Sequence, residues 1–322
     1  MSAKAGRRGA LSLLSGIRAR AGRIGIVVAF LVLVAVFSTL SPVFFTAANF
    51  INIANQTAII SVLAFGMTLV MLSGGIDLSV GSLVSLSAVI VALMLAAGIP
   101  WPLAVAAALA VGAGFGALSG FISVRWSIQP FLVTLGALSV ARGLSLVLSE
   151  GRTIYIESES FLRLTAQGSL GPLPVLFAWT VGFFGLCWVL LNLTPFGRHL
   201  RAVGGNPEAA RHAGIATGNV TIRVFMLSGG LAAFGGLMMA GRLSGGLPSV
   251  GVGMELDAIA AAVLGGTGFK GEGGSLVGTL FGALVMGTVI NGLTLLGVNP
   301  YIQEIAKGVI IVVAVILVSL RK

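Results

Sequence analysis

Long apolar runs, separated by short polar or Gly/Pro punctuation, fill most of the chain from residue 24 to residue 320. A helix needs roughly 20 apolar residues to cross the ~30 Å hydrocarbon layer of a bilayer. On that length the pattern predicts about ten spanning or near-spanning helices, over 24–40, 57–72, 80–97, 103–124, 130–148, 173–193, 223–240, 256–265, 275–293 and 302–320. The eighth is short. The turn Gly98-Ile99-Pro100-Trp101-Pro102 divides the third from the fourth, and two polar stretches, 149–171 and 194–222, interrupt the series. The expected architecture is an all-α polytopic bundle: a basic amino-terminal segment over 1–23, then a membrane domain over 24–320 that carries a cytoplasmic loop at 194–222.

Charge placement orients the bundle. Lys4, Arg7, Arg8, Arg18, Arg20 and Arg23 precede the first apolar run with no acid among them. An excess of Lys and Arg marks the cytoplasmic side. Ten crossings from an inside amino terminus return the carboxyl terminus inside. They also place Arg125, Arg198, Arg201, Arg211, Arg223, Lys270, Arg321 and Lys322 there, so most of the 19 basic residues are cytoplasmic. The loop 149–171, with Glu150, Glu157 and Glu159 against Arg152 and Arg163, falls outside. A cleaved leader over 1–40 is disfavoured, because the first apolar run is long enough to span and no small-x-small cleavage site is evident.

Composition agrees. Of 322 residues 57% are hydrophobic and 9% charged, against about a quarter charged in soluble domains. The net charge of +10 would suit nucleic acid, but its clustering at membrane edges points to anionic headgroups. The single cysteine, Cys187, allows no disulfide or Cys-based metal site within one chain and reads as a small buried hydrophobe. The 47 glycines suit close helix packing. Gly112, Gly116 and Gly120 share one helix face, as do Gly278 and Gly282, and both sets predict small-xxx-small contacts within the chain or between two chains.

Two glycine-rich breaks resemble each other. Ser73-Gly74-Gly75-Ile76-Asp77-Leu78-Ser79 enters Val80-Gly81-Ser82-Leu83-Val84. Leu264-Gly265-Gly266-Thr267 leads to Gly273-Gly274-Ser275-Leu276-Val277-Gly278. Interrupted helices at corresponding points often line a transport path, where backbone groups released from the helix face a cavity; a tight turn used twice explains them as well. Gly75, Asp77, Ser79, Gly81, Gly265 and Gly266 are the candidate path residues. Asp77 is an acid at membrane depth, readable as the N-cap of the following helix or as a transport residue.

In the loop 194–222, Asn206 at N-cap, Pro207 at N1 and Glu208 in the first turn start a helix through Ala209, Ala210 and Arg211, which Gly214 closes. Its defined ends and basic flanks, Arg198 and Arg201, suit a knob for a cytoplasmic partner. Catalytic chemistry finds little support. Gly266-Thr267-Gly268-Phe269-Lys270-Gly271 has the G-x-G-x-x-G spacing, but it follows an apolar segment instead of a strand. No P-loop pattern occurs, so nucleotide energy must come from another chain. His199 and His212, the two histidines, sit in the cytoplasmic loop, and neither a metal cage nor a nucleophile elbow is evident.

These blocks resemble the permease subunits of ribose-type ABC importers. The resemblance runs in order through Gly74–Ser82, Pro130–Gly136 with Ala141-Arg142-Gly143, Phe196–Arg211, and Leu256–Thr267. Branched-chain amino-acid permeases share the wider superfamily and fit these blocks less well. The resemblance implies two permease subunits, two cytoplasmic ATPase subunits, an extracytoplasmic sugar-binding protein and alternating access in the bacterial inner membrane, with no cofactor. Arg198, Asn206, Pro207, Glu208, Ala209, Ala210, Arg211 and Gly214 would couple to the ATPase. Competing expectations are a permease for another small polar solute, such as a branched-chain amino acid or an autoinducer, and an ion-coupled secondary transporter. The latter needs buried ionisable groups in mid-helix; Asp77, Arg142 and Glu255 are the candidates, and each is expected near a segment end. An intramembrane enzyme would need clustered His, Asp or Glu on facing helices, and none is found.

Overall fold

The computed structural model describes residues 25–171, 173–269, 271 and 273–319. The basic segment 1–23 and Lys270, Arg321 and Lys322 lie outside the described residues. The described chain is predominantly helical. In chain order the helices are α1 (Gly25–Leu40), α2 (Ala47–Leu72), α3 (Val80–Ala96), α4 (Trp101–Trp126), α5 (Pro130–Ser149), a short α6 (Glu159–Leu162), α7 (Val175–Asn192), α8 (Pro195–Gly205), α9 (Pro207–His212), α10 (Thr217–Leu243), α11 (Met254–Leu264), α12 (Leu276–Leu295) and α13 (Pro300–Ser319). Six of them, α2, α4, α5, α7, α10 and α12, are long and apolar enough to cross a membrane. The molecule is a multi-pass membrane protein, with apolar side chains such as Leu31, Phe45, Leu132, Val147, Ile305 and Val312 on its outside.

Each predicted apolar segment falls on a helix, but two boundaries move. The second segment starts at Ala47 instead of 57. Asn49, Asn55 and Gln56 dilute the apolar signal there, yet Thr46 caps the helix by accepting from the Asn49 N–H, and the Asn49 and Asn291 amides bond to each other twice at 3.0 Å. The seventh starts at Thr217 instead of 223, so residues 217–222, expected in the loop, begin α10. The polar stretch 149–171 is also structured. It contains α6 and a π-helical turn, Arg163–Gln167, and Ile154–Tyr155 pairs antiparallel with Gly245–Gly246.

Helices α2 and α10 form the centre, with 78% of their apolar windows buried in each case, whereas α5 is only 17% buried and sits at the periphery. Helix α4 crosses α10 at backbone distance. A β-carbon on Gly112, Gly116 or Gly120 would run into the Gly229 carbonyl, the Phe225 carbonyl or Ile222 of α10. Gly278 and Gly282 of α12 meet Gly265 and Ala261 of α11 in the same way. Both small-residue stripes are therefore intrachain contacts, where dispersion between close backbones replaces the hydrophobic drive that lipid does not supply.

Candidate functional site

The two glycine-rich breaks end their helices with the same hydrogen bonds. At the end of α2, Gly74 N–H donates to the Met71 carbonyl at 2.9 Å and Gly75 N–H to the Val70 carbonyl at 3.1 Å. At the end of α11, Gly266 N–H donates to Val263 at 2.9 Å and Thr267 N–H to Ala262 at 3.0 Å. This paired closure needs a left-handed residue after the cap. Gly74 and Gly266 supply it at φ +83° and +90°.

Beyond the first break the chain turns back into the bundle, and Asp77 is fully buried. One carboxylate oxygen, Oδ1, accepts from the Ser79 N–H at 3.0 Å and the Ser79 hydroxyl at 2.6 Å. The other, Oδ2, accepts from the Ser228 hydroxyl at 2.8 Å, near the middle of α10. Thr134 of α5 braces the same turn, receiving the Leu78 N–H at 3.1 Å and standing 3.2 Å from the Ile76 carbonyl. Gly75 leaves space for the Phe225 ring. The expected N-cap role moves by two residues: α3 starts at Val80, its N-cap is Ser79, and Asp77 bonds the N–H of that cap residue. A carboxylate so supplied with donors is stabilised where a bare charge could not stay.

Helix α3 starts inside the molecule, and so does α11. After α10 the chain runs non-helically down the side of α3. Gly246 packs on Ala88 and Ala92, and Gly251 packs on Gly81 and donates its N–H to the Ser85 hydroxyl at 2.9 Å. Only then does α11 begin. With 11 residues it rises about 16 Å, half a bilayer core. Gly81 lies under the Glu255 carboxylate and the Gly251 carbonyl, which a side chain there would displace. The amino-terminal ends of α3 and the short α11 thus meet inside the molecule, flanked by Asp77, Glu255 and, from α5, the half-buried Arg142. Of the three candidates for ion coupling, Asp77 is buried in the first break, Glu255 lies in the first turn of α11, and Arg142 stands inside α5 instead of near its end.

The remaining candidates gather by the same, carboxyl-terminal end of α2. Helix α9 is capped as expected: the Asn206 side chain accepts from the Ala209 N–H at 2.9 Å, Pro207 and Glu208 fill its first turn, and Gly214 ends it at φ +82°. Ala210 is buried, while Asn206, Pro207, Glu208, Ala209, Arg211 and Gly214 are exposed. The preceding helix α8 was missed by the sequence reading, although Thr194-Pro195 carries a start signal. It turns Leu200 and Val203 inward and leaves Arg198, His199 and Arg201 outside. Its Gly204 touches both breaks at once: a β-carbon there would strike the Leu72 carbonyl and approach Gly271. Gly265, in turn, packs against Gly278 and Thr279. The exposed α8–α9 surface is thus one backbone contact away from the two helix interruptions. Among the described residues, no three His, Cys, Asp or Glu side chains stand close enough to hold a metal ion.

Residues 49–315 match the family model described as a branched-chain amino acid transport system permease component. The chain is 44% identical over 295 residues to the ribose import permease protein of Escherichia coli (strain K12), covering 90% of this chain and 91% of that protein. It is 37% identical over 313 residues to the L-arabinose ABC transporter permease protein of Azospirillum brasilense (95% and 91% covered). It is 36% identical over 319 residues to the galactose/methyl galactoside import permease protein of Escherichia coli (strain K12) (92% and 94% covered). No solved structure matches. A membrane bundle with two interrupted helix pairs and an exposed helical loop against them, matched nearly end to end by these proteins, belongs to the family of ABC-importer permease components.

Proposed function

We propose that this chain forms the translocation pathway for a monosaccharide in a bacterial inner-membrane ABC importer. The observation that carries this reading is that relatives named for ribose, arabinose and galactose import match about nine-tenths of their own length and of this chain. In this reading the ten apolar segments make ten crossings, α11 completing its own together with the non-helical stretch 244–253 before it, with both termini cytoplasmic. A second permease subunit completes the pore, a separate ATPase pair supplies the energy, and an extracytoplasmic binding protein delivers the sugar.

The geometry around Gly204 supports a mechanism for the coupling. Closure of the ATPase pair moves the exposed face of α8 and α9, including Arg198, Glu208 and Arg211. Because Gly204 has no side chain, α8 lies against the Leu72 carbonyl of α2 and against Gly271 in the loop that follows α11, and displacement reaches both breaks without an intervening flexible side chain. Helix α3 and the short α11 start against each other at Gly81 and Glu255, at the opposite end of α11 from that contact. Gly75, Asp77, Ser79, Gly81, Gly265 and Gly266 shape the switching region. Weak contacts suffice within the pore, since tight binding would slow release.

The test is uptake in proteoliposomes holding the permease, its ATPase and its binding protein. Sugar uptake should require ATP and survive collapse of the proton gradient. Glu208→Lys should lower uptake at least tenfold while the ATPase continues to turn over. Uptake that persists without ATP and disappears with the proton gradient would favour ion coupling and contradict the proposal.

A further inference from the structure

A second polar centre lies away from both breaks. Between α2, α11, α12 and α13 an open cleft of about 310 Å³ is lined by Gln56, Asp257, Thr294, Gln303, Glu304 and Lys307 among apolar residues. Lys307 Nζ stands 2.8 Å from Glu304 Oε1 and 3.4 Å from Asp257 Oδ2. Asp257 and Gln303 are buried, Lys307 and Gln56 half-buried, and Glu304 exposed. Gln303 donates to the Val298 carbonyl at 2.9 Å, while the Gln56 amide makes no hydrogen bond among the described residues.

Charged side chains are rare within apolar helices and usually line a water-filled cavity or pair with one another; here they do both. The volume is at the lower end of the range for small-ligand pockets, about 300–1,000 Å³. Two carboxylates accept, one ammonium donates, and the Gln56 amide does both. Neighbouring sugar hydroxyls, each a donor and an acceptor, ask for that alternation. The carboxylates outnumber the ammonium, which disfavours an anionic solute. A purely structural ion pair would need neither the open volume nor the unengaged amide.

We infer that this cleft is a transient subsite for a neutral polyhydroxylated solute of monosaccharide size, with Gln56, Asp257, Glu304 and Lys307 meeting its hydroxyls. In the orientation proposed above it lies in the outer half of the membrane, where a delivered sugar first enters. The inference rests on the reading of the chain as a sugar permease.

Vesicles holding the assembled importer provide the test, with D-ribose, L-arabinose and D-galactose as probes. The one native thiol, Cys187, is buried at 2% exposure, so labelling of a Gln56→Cys variant reads the cleft directly. The sugar that wild type transports should slow maleimide labelling at that position several-fold, and should leave a Val309→Cys variant on the outer face of α13 unaffected. Gln56→Ala should raise the KM for uptake about fivefold at unchanged protein level. The exchange of Asp257→Lys with Lys307→Asp should restore assembly but not uptake. Labelling that ignores the transported sugar, an unchanged KM, or full uptake in the exchange variant would each overturn the subsite and leave the permease reading standing. Failure of wild type to take up any of the three sugars would remove the permease reading, and the subsite with it.

Discussion

The two helix breaks close α2 and α11 with the same pair of backbone hydrogen bonds, but they are held in place by different means. The first is fixed by side chains. Asp77 uses both carboxylate oxygens on Ser79 and Ser228, and Thr134 braces the flanking peptide groups. The second has no side-chain hydrogen bond among its described residues 265–274. Its shape resides in the left-handed backbone at Gly266, Gly271, Gly273 and Gly274 and in a bridge between Thr267 and Gly273, while the Thr267 hydroxyl is buried without a hydrogen-bond partner among the described residues. A break tied by directional bonds to three helices moves as part of the bundle. One built from glycine backbone can change its torsions at little local cost. The α2–α3 break is thus the fixed reference and the α11–α12 break the compliant one, with Gly204 of α8 touching both.

The largest effect should follow removal of the anchor at the fixed break. Asp77→Ala leaves the Ser79 N–H and the Ser79 and Ser228 hydroxyls buried without their acceptor, at roughly 1–3 kcal/mol for each donor left unpaired. The amount of monodisperse protein recovered in detergent should collapse. Wild-type recovery would show that the first break does not depend on its carboxylate.

Next comes the contact shared by both breaks. Gly204→Val puts side-chain atoms into the Leu72 carbonyl of the fixed break and against Gly271 of the compliant one, so α8 must shift off α2; ATP-driven uptake should fall at least tenfold, out of proportion to the drop in the thermal midpoint of the purified chain. Equal losses of uptake and midpoint would make Gly204 a packing residue alone.

Ser228→Ala removes a single donor to Asp77 and keeps the Ser79 bonds. It should cost about 1.5–3 kcal/mol, the usual worth of a hydrogen bond to a charged group. Read by thermal unfolding in detergent, the shift should be smaller than that of Asp77→Ala. A shift as large would mean that the three bonds act as one unit.

What the sequence revealed of this arrangement followed the range of the interaction. The cap at Asn206-Pro207-Glu208 was legible because every partner lies within four residues, and the paired Gly-Gly punctuation marked both breaks. The apolar runs located the helices since lipid demands a minimum length. The hydrogen bond from Ser228 and the approach of Glu255 to Gly81 were not legible, because they join residues far apart in the chain through the crossing of α10 and the descent of 244–253. Asn49, Asn55 and Gln56 hid the start of α2, since polar residues inside a bundle, such as Asn49 bonded to Asn291, look in one dimension like solvated ones. Glu304 and Lys307, two charges within an apolar run, were a visible signal for the α13 cleft that the reading passed over.

The account depends most on α9 receiving work from a cytoplasmic ATPase. A Glu208→Cys variant, with Cys187 buried as the only other thiol, can be joined by a short bifunctional thiol reagent to an ATPase carrying one surface cysteine, in inside-out vesicles. The account predicts a cross-linked permease–ATPase adduct whose yield changes between ATP-bound and nucleotide-free states. Position 208 reacting only with reagent applied from the cell exterior, or forming no adduct in either state, would contradict it.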